Sequence, residues 1–275
     1  MPDREIGFLS RLLGSLYRAV YRVLALGAIR APMQLLLKLS RQNAVPAVMG
    51  VPAARTVLVL APHMDDETIG CGGAILQHVG AGARVDVVFV TDGAMGFDAG
   101  ARRVSSTGER VELRRSEARA ACERLGARKL HFLDLPDGRS QANASAVRAL
   151  HDILADTRPD VVYLPFLTDS HHDHQTCNAL LFSLLANDPS LASLLCACYE
   201  VWTPLYPNTV VDISEQMESK MAALACYKSQ LALNNYLSSV RGLNAYRAIA
   251  NNSRGYAEAF YLTTLKEYAA LAPAD

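Results

Sequence analysis

The sequence predicts an α/β fold in which a mostly parallel sheet is covered by helices on both faces. Three observations carry this. Aliphatic runs such as TVLVLA and DVVYLPF have the length and β-branched content of strands buried on both sides. Segments of helical period alternate with them, the rhythm of β-α-β units. The composition is that of an ordinary globular chain, 51% hydrophobic over 275 residues, with no internal repeat or low-complexity tract.

In chain order, the first forty-one residues contain seven Lys or Arg against Asp3 and Glu5. In FLSRLLGSLYRAVYRVLAL, Leu9, Leu12, Leu13, Leu16, Val20, Val23 and Leu24 recur at helical spacing with Arg11, Arg18 and Arg22 between them. The spacing predicts a basic amphipathic helix within residues 5–41, broken by Pro32 from a second helix, MQLLLKLSRQ. Arginines interrupt every apolar window, so it is no transmembrane span, and no signal-peptide core with a cleavage site precedes it. Such a helix either docks on its own domain or lies on an anionic membrane surface or a partner.

After a loose NAVPAVMGVPAAR, TVLVLA reads as a strand, TIGCGGAILQHV as a helix, RVDVVFVT as a strand, and ERVELRRSEARAACERLG as a helix closed by Gly126. KLHFLDL, SAVRALHDILADT and DVVYLPF continue the alternation. Beyond Gln175 the pattern weakens into a helix (CNALLFSLLAN), strands (CYEVWTP and TVVDIS), a helix from Ser214 to about Gln230 with Ser214 as its N-cap, and a last strand in GYAEAFYLTTL. The reading is therefore residues 1–50 as a helical extension and residues 51–275 as one catalytic-type domain with a Rossmann-like sheet.

With 27 basic and 27 acidic residues, net charge points to no nucleic-acid partner. Six cysteines without a C-x-x-C pair, set in apolar segments, predict reduced, buried thiols and a cytoplasmic chain, peripheral at the inner membrane face if the basic helix binds lipid.

In such a sheet ligands bind where strands deliver loops at their carboxyl ends. Two of these loops, APHMDDE and DSHHDHQ, crowd histidines and acids together. His63 and Asp66 are three positions apart, as are His171 and His174, a spacing that lets both members of each pair converge on one point. Two imidazoles and a carboxylate suit a catalytic divalent zinc with a position left open for water. Acids favouring a helix N-terminus would explain Asp65, Asp66 and Glu67 but not the histidine beside them. His78, His131 and His151 fall inside helices and a strand and read as structural or surface residues.

APHMDDE resembles the first signature of the LmbE-like, or PIG-L, family of zinc-dependent N-acetylglucosaminyl deacetylases, and HHDH resembles its second. TDG at Thr91 to Gly93, Arg114 to Ala121, LPDG at Leu135 to Gly138 and DISEQMESKMAALACYKSQ extend the likeness over about residues 55–262. The resemblance implies an N-deacetylase with one Zn2+ per chain and an N-acetyl amino-sugar substrate. Position by position it implies His63, Asp66 and His174 as zinc ligands and Asp65 as general base. It further implies His171 as the histidine that stabilises the transition state, Asp173 as the carboxylate that orients it, and Arg114 and Asp137 as sugar contacts. Met64 stands where the family has proline, which is expected to loosen the loop slightly.

Two other classes compete. A nucleotide-binding oxidoreductase is disfavoured because TIGCGGA breaks the Gly-x-Gly-x-x-Gly pattern at Ile75 and acids precede it. A non-catalytic carbohydrate-binding or scaffold protein is disfavoured because no ligand and no base is missing. Gly70, Gly72 and Gly73 are instead expected to let the first helix approach the sheet.

Overall fold

The computed structural model describes residues 46–99, 105–251 and 254–272. The basic helix expected within residues 5–41 lies outside the described residues. Strands β1 (Ala47–Val48), β2 (Thr56–Ala61), β3 (Arg84–Thr91), β4 (Lys129–Leu135), β5 (Val161–Pro165), β6 (Leu195–Tyr199), β7 (Thr209–Asp212) and β8 (Ala257–Thr264) form one sheet. Its order is β1-β7-β8-β6-β5-β2-β3-β4. All neighbours pair in parallel except β8, which runs against both β6 and β7. From β2 the chain builds outward through β3 to β4, then returns to the other side of β2 to lay down β5 and β6. The crevice at the carboxyl ends of β2 and β5 is thus the point where the winding reverses, where open α/β sheets bind ligands.

The central strands are apolar on both faces because helices cover both. Val57, Val59 and Ala61 of β2 join Val87, Phe89 and Tyr163 in a core that includes Ile75 and Leu224. The alternate residues Leu58 and Leu60 are equally buried and face the opposite layer. The helices are α1 (Asp66–Gly80), α2 (Thr107–Leu125), α3 (Ala144–Thr157), α4 (His172–Asn187), α5 (Met217–Leu224), α6 (Lys228–Leu231), α7 (Tyr236–Arg247) and α8 (Leu265–Ala269). Helix α2 starts on a capping box between Ser106 and Glu109 and closes on Gly126, whose φ of 79° favours glycine.

Several expectations change here. Ala47–Val48, expected to be loose, pairs with β7 as a short edge strand. The helix expected from Ser214 to Gln230 is two helices, α5 and α6, divided at Ala225–Tyr227. Ser214 is not its N-cap: the hydroxyl donates to Asp212 at 2.6 Å and accepts from the Tyr256 backbone at 3.0 Å, tying β7 to β8. Helix α7 was not expected. The expected close approach of α1 is present, since a Cβ on Gly70 would lie 2.2 Å from the Tyr199 ring and one on Gly73 2.5 Å from Ile213. Five of the six cysteines are buried, and all six are free thiols.

Candidate active site

The strand β2 ends at Ala61, and the next residues turn sharply into α1. His63 and Asp66 both face the crevice, with His63 Nδ1 3.1 Å from Asp66 Oδ2. Between them Asp65 takes a φ of 150°, a conformation side-chain-bearing residues rarely adopt and one that costs roughly 1–3 kcal/mol. The turn is held by Glu67, fully buried, whose carboxylate accepts from the Asp65 backbone at 3.1 Å and from the Tyr227 hydroxyl at 2.6 Å. Met64 stands where the family has proline. Its side chain is wholly buried and its carbonyl accepts from the Arg114 guanidinium.

From β5, the loop Phe166–His171 leads into α4. His171 is the N-cap, its ring accepting from the Asp173 backbone at 3.2 Å. One turn on, His174 is fully buried, with Nε2 3.3 Å from Asp66 Oδ2 and Nδ1 3.1 Å from Asp169 Oδ2. Both contacts are within ion-pair reach but lack hydrogen-bond alignment, so both ring nitrogens are buried without a hydrogen-bond partner. His63, His171 and His174 bring nitrogens within 4.8 Å of one another, as do His63, Asp137 and Asp173 with their donor atoms. The two motifs, a hundred residues apart in the chain, thus meet.

Asp173 is placed differently from its expected role. Its Oδ2 lies 3.0 Å from His63 Nε2 and 3.9 Å from His171 Nδ1, while Gly138 and Ser140 backbone groups and the Ser140 hydroxyl donate to it. It orients His63 more directly than His171. Asp137 lies 3.5 Å from His63 Nε2, brought there by the end of β4. A bulge between Phe89 and Thr91 in the β3–β4 pairing, with Asp134 at a φ of 54°, re-aims that end toward the crevice. Arg114 reaches in from α2, its guanidinium 3.4 Å from Asp65 and 3.3 Å from Glu117.

The electrostatics separate the two neighbouring acids. Burial pushes the Asp65 carboxyl up to about 7, opposed by the Arg114 charge. Burial would also raise Asp66, but the charges of His174 and His63 and their contacts hold it well below the usual carboxylate range. Burial would lower His174, yet Asp66 and Asp169 push it up to about 9. His171 is lowered, by burial first and then by the charges of His63 and His174. One acid is therefore poised to exchange a proton near neutrality while the other stays ionised.

The family model for PIG-L, described as GlcNAc-PI de-N-acetylase, matches residues 58–185. Diacetylchitobiose deacetylase from Thermococcus kodakarensis is 30% identical over 191 residues, 64% of this chain and 70% of that protein. This chain belongs to the PIG-L, or LmbE-like, family. Another relative of this PIG-L chain has a different name: 4-oxalmesaconate hydratase from Pseudomonas putida, 28% identical over 218 residues, covering 72% of this chain and 84% of that one. Among solved structures, N,N'-diacetylchitobiose deacetylase from Pyrococcus horikoshii with its inhibitor superposes with a TM-score of 0.68 at 26% identity, covering 78% of this chain and 86% of that one.

Around these residues lies a cavity of about 260 Å³ lined by His63, Asp65, Asp66, Arg114, Asp137 and His171 among others. Residues that sequence reasoning passed over support the site from behind. Asp169 accepts from the His171 and Trp202 backbones and stands beside His174. Glu67, Ser140 and Tyr227 fix the acids and the loop. Their residue types alone do not say what they face.

Proposed function

We propose that this chain is a zinc-dependent amide hydrolase that removes the N-acetyl group from an N-acetylglucosaminyl conjugate. The observation that carries the reading is the convergence of His63 Nδ1, Asp66 Oδ2 and His174 Nε2, with the buried His174 nitrogen lacking any hydrogen-bond partner. Donors bound to a tetrahedral zinc at about 2.0–2.1 Å stand about 3.3 Å apart. The separations from Asp66 Oδ2 to the two imidazoles, 3.1 and 3.3 Å, fit that demand, and two imidazoles with one carboxylate are a donor set zinc accepts. A bound zinc supplies Lewis acidity, making water nucleophilic near neutral pH and polarising an amide carbonyl.

The remaining work belongs to side chains. Asp65 lines the same cavity without joining the donor set, so it takes the proton of the attacking water and returns it to the departing amine nitrogen. His171, partly exposed at the cavity wall, donates a hydrogen bond to the oxyanion as the carbonyl becomes tetrahedral. Asp173 fixes the His63 ring, as carboxylates behind metal-binding histidines do. Asp137 offers a polar contact to sugar hydroxyls, while Arg114, held by Met64 and Glu117, fixes Asp65 from behind.

The hydratase relative raises the alternative of adding water to an unsaturated carboxylate. The cavity disfavours it. Its lining carries three carboxylates, and the one guanidinium lining it among the described residues, Arg114, is committed to Met64, Asp65 and Glu117. Zinc-loaded protein incubated with N-acetylglucosaminyl conjugates and with unsaturated dicarboxylates is expected to release acetate from the first and leave the second unchanged. The Asp65→Asn variant is expected to keep stoichiometric zinc while kcat falls about 10²–10⁴-fold. Undiminished turnover in that variant removes Asp65 from the base role.

A further inference from the structure

A second cavity, of about 280 Å³, adjoins the first and shares four of its lining residues, Ile69, Val201, Trp202 and Tyr236. Away from the acids the chemistry of the wall changes. Val240 and Leu243 of α7 continue the apolar surface, and Asn234, Asn235 and Ser239 form a neutral polar rim. No charged side chain lines this second cavity among the described residues.

Trp202 stands at the junction. Its indole is 55% exposed, the ring of Tyr236 meets it edge-on at 6.3 Å, and the two make an aromatic wall. The wall is built into the site, because the Trp202 backbone N–H donates at 3.0 Å to Asp169, the carboxylate beside His174. Ile69 belongs to the first turn of the helix that begins with Asp66. An exposed indole over an apolar, uncharged cleft continuous with the catalytic cavity is a surface that a ligand group would cover.

We infer that this cleft is a second subsite, which takes an uncharged alkyl or aryl group carried by the amino-sugar substrate. The inference rests on the deacetylase reading for the identity of the molecule that carries the group. Absence of a cation from the wall disfavours phosphate- or carboxylate-bearing conjugates, which would bury their charge unpaired. The apolar group reaches the cleft either from the sugar's aglycone or from a long N-acyl chain, and the two are separable.

Trp202 is the single tryptophan of the chain, so intrinsic fluorescence reports on the subsite directly. Full-length protein is titrated with methyl and hexyl N-acetylglucosaminides and with N-hexanoylglucosamine, with acetate or hexanoate release followed in parallel. The expected result is a saturable change in Trp202 emission with one hexyl-bearing compound, at an affinity about tenfold or more above that of the methyl glycoside. The arm that responds names the source of the group. Leu243→Asp is expected to bring the hexyl affinity down to the methyl level, and Ser239→Leu, which adds apolar surface at the exposed rim, to raise it. Equal affinity for methyl and both hexyl compounds overturns the subsite, as does a hexyl preference untouched by both variants. Chain-length-dependent binding without deacylation would instead count against the hydrolase reading, so the two failures are distinct.

Discussion

At the residue scale, His174 has the most consequential electrostatics. A ligating imidazole must be unprotonated, yet without metal this one is pushed up to about 9. Burial acts the other way and is outweighed by Asp66 and Asp169. If His174 ligates zinc as proposed, below about pH 9 the metal must expel its proton, and this proton alone lowers the affinity about tenfold for each pH unit downward. Calorimetric zinc titrations at pH 7 in buffers of different ionisation enthalpy are expected to count at least one proton released. Zero release would take His174 out of the donor set. His63 and Asp66 were legible in the sequence because they follow directly on a recognisable strand end, and His174 because it stands in a histidine-rich motif where the next helix begins. Asp169 and Ser140 were not, since their partners come from other loops and only the chain's return through β5 brings them together. The family resemblance implied Asp173 as the partner of His171. The first turn of α4 instead directs it across to His63, where Gly138 and Ser140 complete its hydrogen bonds.

At the element scale, the helix that delivers Asp66 is broken. Cys71 has a φ of −144°, so α1 is two helical pieces meeting at a kink. The break frees backbone groups on both sides, and a buried ion pair satisfies them. Glu258 of β8 accepts from Gly73 and Ala74 at 2.7 and 2.8 Å. Lys220 of α5 donates to the Ile69 carbonyl at 2.9 Å, to Asn244 at 2.9 Å and to Glu258 at 2.7 Å. Both charged groups are essentially inaccessible to water, so removing one leaves the other uncompensated. Lys220→Met is expected to cost about 3–5 kcal/mol in chemical denaturation. The double variant Lys220→Met with Glu258→Gln should recover part of that loss. A single-variant loss below about 1 kcal/mol would mean that water reaches the pair. Of this arrangement the sequence offered only the glycines. The division of α5 from α6, the presence of α7 and the reversed direction of β8 left no periodic trace, because apolar spacing carries no information on strand direction.

At the scale of the whole molecule, α1 and the sheet are joined by a buried neutral histidine. His78 is 1% exposed and its Nε2 shares a hydrogen bond of 2.9 Å with the Tyr163 hydroxyl of β5. Burial lowers its pKa to about 4, against an ordinary value of about 6.5. Between these values the unfolded chain binds a proton that the folded chain refuses, so stability is fully present above about 6.5 and is lost as pH falls toward 4. One such group contributes a slope of up to about 1.4 kcal/mol per pH unit in that window. His174, whose folded pKa lies above its unfolded one, is protonated in both states there and adds no slope. His131, lowered by burial to a lesser degree, acts in the same direction and remains in any His78 variant. Asp65, raised to about 7 in the folded chain, takes up a proton in this window that the unfolded chain does not and adds a slope of opposite sign in both proteins. In urea unfolding of metal-free protein across pH 4 to 6.5, the native chain is therefore expected to lose stability towards acid relative to His78→Gln. Parallel slopes in the two proteins would mean that His78 binds its proton as readily in the folded chain as in the unfolded one.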